Sequence, residues 1–302
     1  MRVVVNPAAN LTRAVVEHYR IEVAPLYIMV DGVAKDGRDP IALRDVDTWV
    51  RDAKTFPYAV GTSAAEFVGI FSLAVRDDPE ILAVLSSRKL IKSHSAATAA
   101  AKAVRERIPN ERIRIFVIDS MMTDTATGLL AMAAAEAAKE GQPAQLVAET
   151  LEAIARRGCC IWTPATLDNL VRGGRATFLK AWIADALNVK PVVGFVDGDV
   201  KSVGRISGSA DRVVELGKCA IKAAGRSKRV WLGVAHGAVP DEAVRLEEYL
   251  RRALPVEYVY RQPLSPGVYL YGGPGSLAVT VLPMDAVGFP LPVPPSFSER
   301  AR

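Results

Sequence analysis

IRIFVIDSMMTDTATGLLAMAAAEAAKEG, residues 113–141, is the stretch on which the fold turns. Its opening, 113–120, is β-branched and apolar and reads as a buried strand. An Ala-rich segment follows, and the spacing predicts a helix near 124–140, with Gly141 placed to stop it. Pro143 then starts a second helix over 144–157. Working back from there, the pattern repeats. ILAVLSS at 81–87 is a strand followed by an Ala-rich helix at 93–108. RVVVN at 2–6 and PLYIMVDG at 25–32 are further strands, and helices are expected at 9–19, 45–54 and 64–75. Strands that alternate with helices imply βαβ units and a parallel sheet covered on both faces.

Beyond residue 158 the pattern changes. CCIWTP is a short strand, and 177–188 reads as a helix. In PVVGFVDGDVKSVGRI two apolar runs flank Asp197-Gly198, the strongest short-range hairpin signal. Helix 209–224, strand 229–235, helix 241–253, strand 256–262 and strand 277–282 complete the second half. The expectation is therefore an α/β chain with a parallel-sheet N-terminal domain at 1–157 and a mixed-sheet C-terminal domain at 158–283. A Pro-rich tail at 284–302 would be an extended strap or disordered, since FPLPVPPSF excludes regular structure.

Composition narrows the function. The 302 residues are 50% hydrophobic and 24% charged, ordinary for a globular protein. No apolar run reaches the ~18 residues of a membrane helix, and the N-terminus lacks the pattern of a signal peptide, so a cytoplasmic address is expected. The three cysteines include the adjacent Cys159 and Cys160, and the three histidines are scattered, so neither a disulfide framework nor a metal site is expected. A net charge of +5 without a clustered motif gives no reason to expect nucleic acid as a partner.

Polar residues collect after the strands, where open α/β sheets bind ligands. Gly61-Thr62-Ser63 opens a helix and is either an N-cap or an anion site. Ser86 through Ser95, with Lys92 and Ser93 at a helix start, is either a solvated loop or a second wall of such a site. Asp119-Ser120 caps the next helix or contacts a ligand. Arg172-Gly173-Gly174-Arg175 is either a helix stop or a phosphate or protein docking point. Gly272-Gly273-Pro274-Gly275 is a tight loop or an exposed row of backbone N–H groups. The chain has no GxxxxGK[ST], no GxGxxG after its first strand and no GxSxG elbow, which argues against a P-loop nucleotide enzyme, a nicotinamide enzyme and a common esterase.

Taken in order, these segments resemble the DegV family, fatty-acid-binding proteins that include the FakB-type subunits of bacterial fatty acid kinase. PLYIMVDG at 25–32, GTSAAEF at 61–67, VIDSMMTDTATGLL at 117–130, TLDNLVRGGR at 166–175, NVKPVVGFVDGDV at 188–200, GVAHG around His236 and Gly273-Pro274-Gly275 carry the resemblance. It implies a two-domain DegV-like fold and a lipid-binding subunit that is not itself an enzyme. A long-chain fatty acid would lie in an apolar tunnel, its carboxylate at the domain junction, and be presented to an ATP-dependent kinase. No cofactor is implied beyond the bound acid. The ligand contacts it implies are Thr62, Ser63, Lys92, Ser93, Tyr271, Gly272 and Gly273, and Arg172, Arg175 and Arg205 would face the phosphoryl-transferring partner.

Three departures stand out. Val5-Asn6-Pro7 replaces the family's opening TDS element; its LSGT loop becomes Leu90-Ile91-Lys92-Ser93 if one residue is inserted, with Ile91 for the serine, or Lys89-Leu90-Ile91-Lys92 without the insertion, the hydroxyl missing either way; and Tyr271 stands where the family has a histidine. They favour the alternative of a DegV-like carrier of another amphipathic acid or lipid without a kinase partner. A hydrolase or transferase using Ser93, His94 and Asp119 is the rival of a different class. It is disfavoured because neighbours on a helix point about 100° apart.

Overall fold

The computed structural model describes residues 1–108, 110–175 and 189–297. Four strands, β1 (Arg2–Val5), β2 (Glu22–Val23), β6 (Glu80–Leu85) and β7 (Arg114–Asp119), form a wholly parallel sheet in the order β2-β1-β6-β7. Side chains alternate between its faces. Val3, Val5, Leu82 and Val84 pack with α5 (Thr125–Lys139) and α6 (Ala144–Arg157). Val4, Ile81, Ala83 and Leu85 pack against α3 (Ala64–Asp77) and α4 (Ser93–Arg107) on the other face.

The second sheet is mixed. It runs β10-β9-β8-β13-β11-β12, built from β8 (Cys159–Thr163), β9 (Val189–Val196), β10 (Asp199–Ser207), β11 (Val230–His236), β12 (Val256–Pro263) and β13 (Leu277–Pro283). All pairings are antiparallel except β11 with β12. Helices α8 (Arg212–Ala224) and α9 (Pro240–Ala253) cover one face. The other face, through Cys160, Trp231, Tyr258 and Leu282, shares a core with α5 and α6.

Helix α5 thus lies between the two sheets, and all its residues from Thr125 to Ala137 are buried. A helix apolar all round is buried all round. Small residues let both neighbours approach. A Cβ on Gly128 would sit 2.4 Å from the Ala9 carbonyl oxygen, and one on Gly233 of β11 would sit 2.6 Å from Thr125 Oγ1.

The hairpin expected at Asp197-Gly198 is present. Both residues have positive φ (50° and 79°), and Val196 faces Asp199. The helix expected at 9–19 is shorter. Pro7–Ala9 is one 3-10 turn, Asn10 takes a left-handed conformation, and α1 runs over Arg13–Tyr19 behind the Thr12 cap. A small third sheet, β4-β3-β5, was not anticipated. It comprises β3 (Tyr27–Val30), β4 (Val33–Asp36) and β5 (Tyr58–Val60), with α2 (Leu43–Asp52) between the last two. Two short helices, α7 (Asp168–Arg172) and α10 (Pro266–Gly272), were also not anticipated. The helix expected over 177–188 lies outside the described residues.

After a 3-10 turn at Met284–Ala286, the tail runs without regular structure to Phe297. Phe289, Leu291 and Phe297 pack on the shared core, Tyr258 donates to the Pro295 carbonyl (3.1 Å), and Gln262 donates to that of Phe297 (2.7 Å).

Candidate functional site

A cavity of about 220 Å³ lies where the two larger sheets, α10 and the third sheet meet. Its lining is chiefly apolar: Leu26, Leu90, Ile91, Trp162, Phe195 and Val268 contribute. The polar lining divides into a buried set and an exposed set. Ser86, Thr123, Asp124 and Ser276 are buried, whereas Lys89, Arg175 and Asp199 are exposed and mark the mouth.

The buried polar groups are spent on one another. Ser86 and Thr123 share a hydrogen bond of 3.0 Å between their hydroxyls. Asp124, at the start of α5, accepts from Asn10 Nδ2 (2.8 Å), Thr125 N (2.9 Å), Ser265 N (3.0 Å) and Ser265 Oγ (2.8 Å). Its φ of 59° is unusual for a residue with a Cβ. Burial pushes this carboxyl up from the usual range, against the pull of those donors. Cys160 also lines the cavity, and burial pushes its thiol up to about 12. It is therefore a protonated, apolar wall and not a nucleophile.

Of the residues singled out in the sequence, Tyr271, Gly272 and Arg175 line the cavity. Tyr271 Oη accepts from the Ala59 N–H (3.2 Å), and the Arg175 guanidinium lies 5.3 Å from the Tyr271 ring centroid. Thr62, Ser63, Lys92, Ser93 and Gly273 do not line it. Thr62 is buried and donates to the Pro25 carbonyl (2.5 Å). Ser63 caps α3, donating to Glu66 (2.6 Å) and accepting from its N–H. Lys92 is exposed ahead of α4.

Ser93 is fully buried, and its Oγ has no hydrogen-bond partner among the described residues. It adjoins the Gly61 turn: a Cβ on Gly61 would lie 2.4 Å from Ser93 Oγ and 2.9 Å from Ile91 Cγ1. Gly273, with φ of 72°, packs near Asn169. Arg172 donates to the Val50 carbonyl (2.9 Å) and covers the Phe56 ring. Arg205 is exposed on β10, five residues past Val200 of the lining, roughly 17 Å along the strand. The structure thus brings Arg175 to the mouth but carries Arg205 away from it.

Ser93, His94 and Asp119 do not form a relay. Asp119 pairs with Arg88 (3.4 Å) and accepts from Met121 N (2.8 Å), and Ser93 has no base beside it. Among the described residues, no cluster of three or more His, Cys, Asp or Glu could hold a metal. No described helix is long and apolar enough to cross a membrane. Lys89 falls in the loop that the sequence offered as a second wall of an anion site, and it lines the cavity. Asp124 was not anticipated as lining, although it carries a local signal, an acidic residue just ahead of an apolar helix.

The family model described as uncharacterised protein, DegV family, matches residues 1–284. The chain belongs to the DegV family. A DegV domain-containing protein of Caldanaerobacter subterraneus subsp. tengcongensis is 27% identical over 284 residues, spanning 92% of this chain and 96% of that relative. A solved structure described as fatty acid binding of a DegV family protein from Thermus thermophilus superposes with a TM-score of 0.85 at 25% identity, covering 93% of this chain and 99% of that one. A DegV family protein from Ruminococcus gnavus, described with vaccenic acid, has a TM-score of 0.84 at 19% identity over 92% of this chain and 98% of its own. At that identity it speaks for the shared fold. The departures noted above stand out within this DegV framework: Ile91 and Tyr271 both line the cavity.

Proposed function

We propose that this DegV chain binds a long-chain fatty acid in the cavity, the acyl chain against the apolar lining and the carboxylate toward the exposed mouth. The observation that carries the reading is the division of the lining: apolar side chains and hydrogen-bonded polar groups within, Lys89 and Arg175 with Asp199 at the opening. Each buried methylene contributes about 0.8 kcal/mol, so an apolar wall with few polar anchors suits such a ligand. The fatty acid binding described for the Thermus thermophilus relative supports the reading. So does the saturated hydrogen bonding of Asp124, whose oxygens already accept four hydrogen bonds and offer a carboxylate beside it nothing to bond. In this reading the chain is a cytoplasmic carrier, not a free-standing enzyme, and it presents the acid to an ATP-dependent kinase across the face that holds Arg172 and Arg175. The loss of the family serine and histidine to Ile91 and Tyr271 favours a second reading, a carrier of another amphipathic acid without that kinase.

The test is titration of delipidated protein with palmitic acid beside the Gly267→Leu variant. A Cβ on Gly267 has room, its nearest neighbour being Leu26 Cδ2 at 3.7 Å, so the larger side chain extends into the cavity without breaking α10. The expected result is binding by the wild type and at least a tenfold loss in the variant. Equal affinity for both places the ligand elsewhere.

A further inference from the structure

We propose that Lys89 and Arg175 at the cavity mouth are the specificity determinants that make this chain select an anionic amphiphile over a neutral one. This inference rests on the fatty-acid reading and names what holds the head group. The resemblance pointed to Thr62, Ser63 and Ser93, with Lys92, Tyr271, Gly272 and Gly273, for that task, and the structure gives the Thr62 and Ser63 hydroxyls other partners. Thr62 gives its proton to Pro25, Ser63 gives its proton to Glu66, and Ser86 is bonded to Thr123. None of Thr62, Ser63 and Ser93 reaches the lining. What remains at the opening is charge.

Lys89 and Arg175 both line the cavity, and neither makes an ion pair with a carboxylate among the described residues. Their neighbour Arg88 is already occupied by Asp119. Among the described residues Asp199 is the one exposed acid of the lining, and it leaves the balance there positive.

Arg175 is held in place by a dedicated turn. Its N–H donates to the Leu170 carbonyl (2.9 Å), and Gly174 takes the left-handed conformation (φ 68°). A Cβ on Gly173 would lie 2.7 Å from the Tyr271 ring, so only glycine lets the ring settle against the turn. The ring, anchored by Ala59 N–H, then carries the guanidinium on its face. Tyr271 is a positioning residue here. At the buried end, the Asp124 carboxyl has four donors already and adds none for a ligand. An anionic head is therefore directed outward. Because the two cations are exposed, each contributes modestly and in a salt-dependent way.

The test is displacement of a fluorescent acyl probe by palmitic acid and, separately, by hexadecanol, at low salt and at about 0.5 M salt, where the screening length falls to roughly 4 Å. Wild type, Lys89→Gln/Arg175→Gln and an Arg226→Gln control are compared. The wild type should favour the acid over the alcohol, and high salt should narrow that preference. The double variant should lose on the order of tenfold in acid affinity while holding its alcohol affinity. Arg226→Gln, exposed after α8 and off the lining, should behave as wild type. A double variant that keeps the full acid preference overturns the inference and leaves the fatty-acid reading standing. A wild type that binds neither ligand overturns both.

Discussion

Glu66 shows how a hydroxyl proposed for an anion site, that of Ser63, can be absorbed into the scaffold. Ser63 donates to it through both N–H and Oγ (2.7 and 2.6 Å), and Tyr27 donates through its hydroxyl (2.7 Å). Burial pushes the Glu66 carboxyl up, but these donors outweigh it and hold the group below the usual range. A folded-state pKa below the unfolded one contributes stability above the unfolded value, and that contribution fades as pH falls through the folded value. Wild type should therefore be more stable than Glu66→Gln near pH 7, and the gap should close by about pH 3. Thermal unfolding of both proteins across that range reads the difference, and a gap independent of pH contradicts the assignment. At this scale the sequence was only partly informative. Gly61-Thr62-Ser63 was legible as a helix start. Which hydroxyl proton goes to which acceptor depends on Pro25 and Glu66, and no local pattern encodes that.

At the scale of elements, α5 was the most legible feature, because its composition states its environment: alanines, one glycine, leucines and a methionine spread around the helix. Gly128 marks the closest approach, with the Ala9 carbonyl where a Cβ would go. In an exposed helix Gly→Ala gains about 1 kcal/mol. Here Gly128→Ala should instead lose about 1–3 kcal/mol, since the backbone of the Pro7–Ala9 turn must shift. Urea unfolding measures the sign, and a stabilised variant contradicts the packing described. Two occurrences of Asp-Gly show the limits of local reading. Asp197-Gly198 sits between two long apolar runs and announced its hairpin. Asp31-Gly32 makes the same two-residue turn, Val30 facing Val33, with φ of 45° and 84°. Its second strand, VAKD, is partly exposed and lacks alternation, so the strand before it was legible and the one after it was not. β5 has three residues and α10 seven, too short for periodicity to register. α10 nonetheless carries Gly267, Val268, Tyr271 and Gly272 to the cavity, which is why half of that wall was hidden.

The whole molecule is joined through a shared core, with α5 packed on the parallel sheet and on the mixed sheet. The tail extends that core beyond the residues matched by the family model. Phe297 stands 5.4 Å from the His18 ring and 5.9 Å from the Tyr19 ring, and Tyr19 in turn donates to the buried Glu136. No described residue of the tail lines the cavity. Deleting residues 288–302 should therefore lower the unfolding temperature by several degrees, the apolar contacts of Phe289, Leu291 and Phe297 being lost, while palmitic acid affinity stays unchanged. Unchanged stability contradicts the strap. Lost affinity contradicts the cavity's independence from it.

The central claim is occupancy of the cavity by an acyl chain, and native mass spectrometry of the protein as purified tests it most directly. The account predicts a species heavier than the bare chain by one long-chain fatty acid, in one-to-one ratio, and its disappearance in Gly267→Leu. A bare chain that stays bare after incubation with palmitic acid, or an adduct that survives Gly267→Leu undiminished, contradicts it.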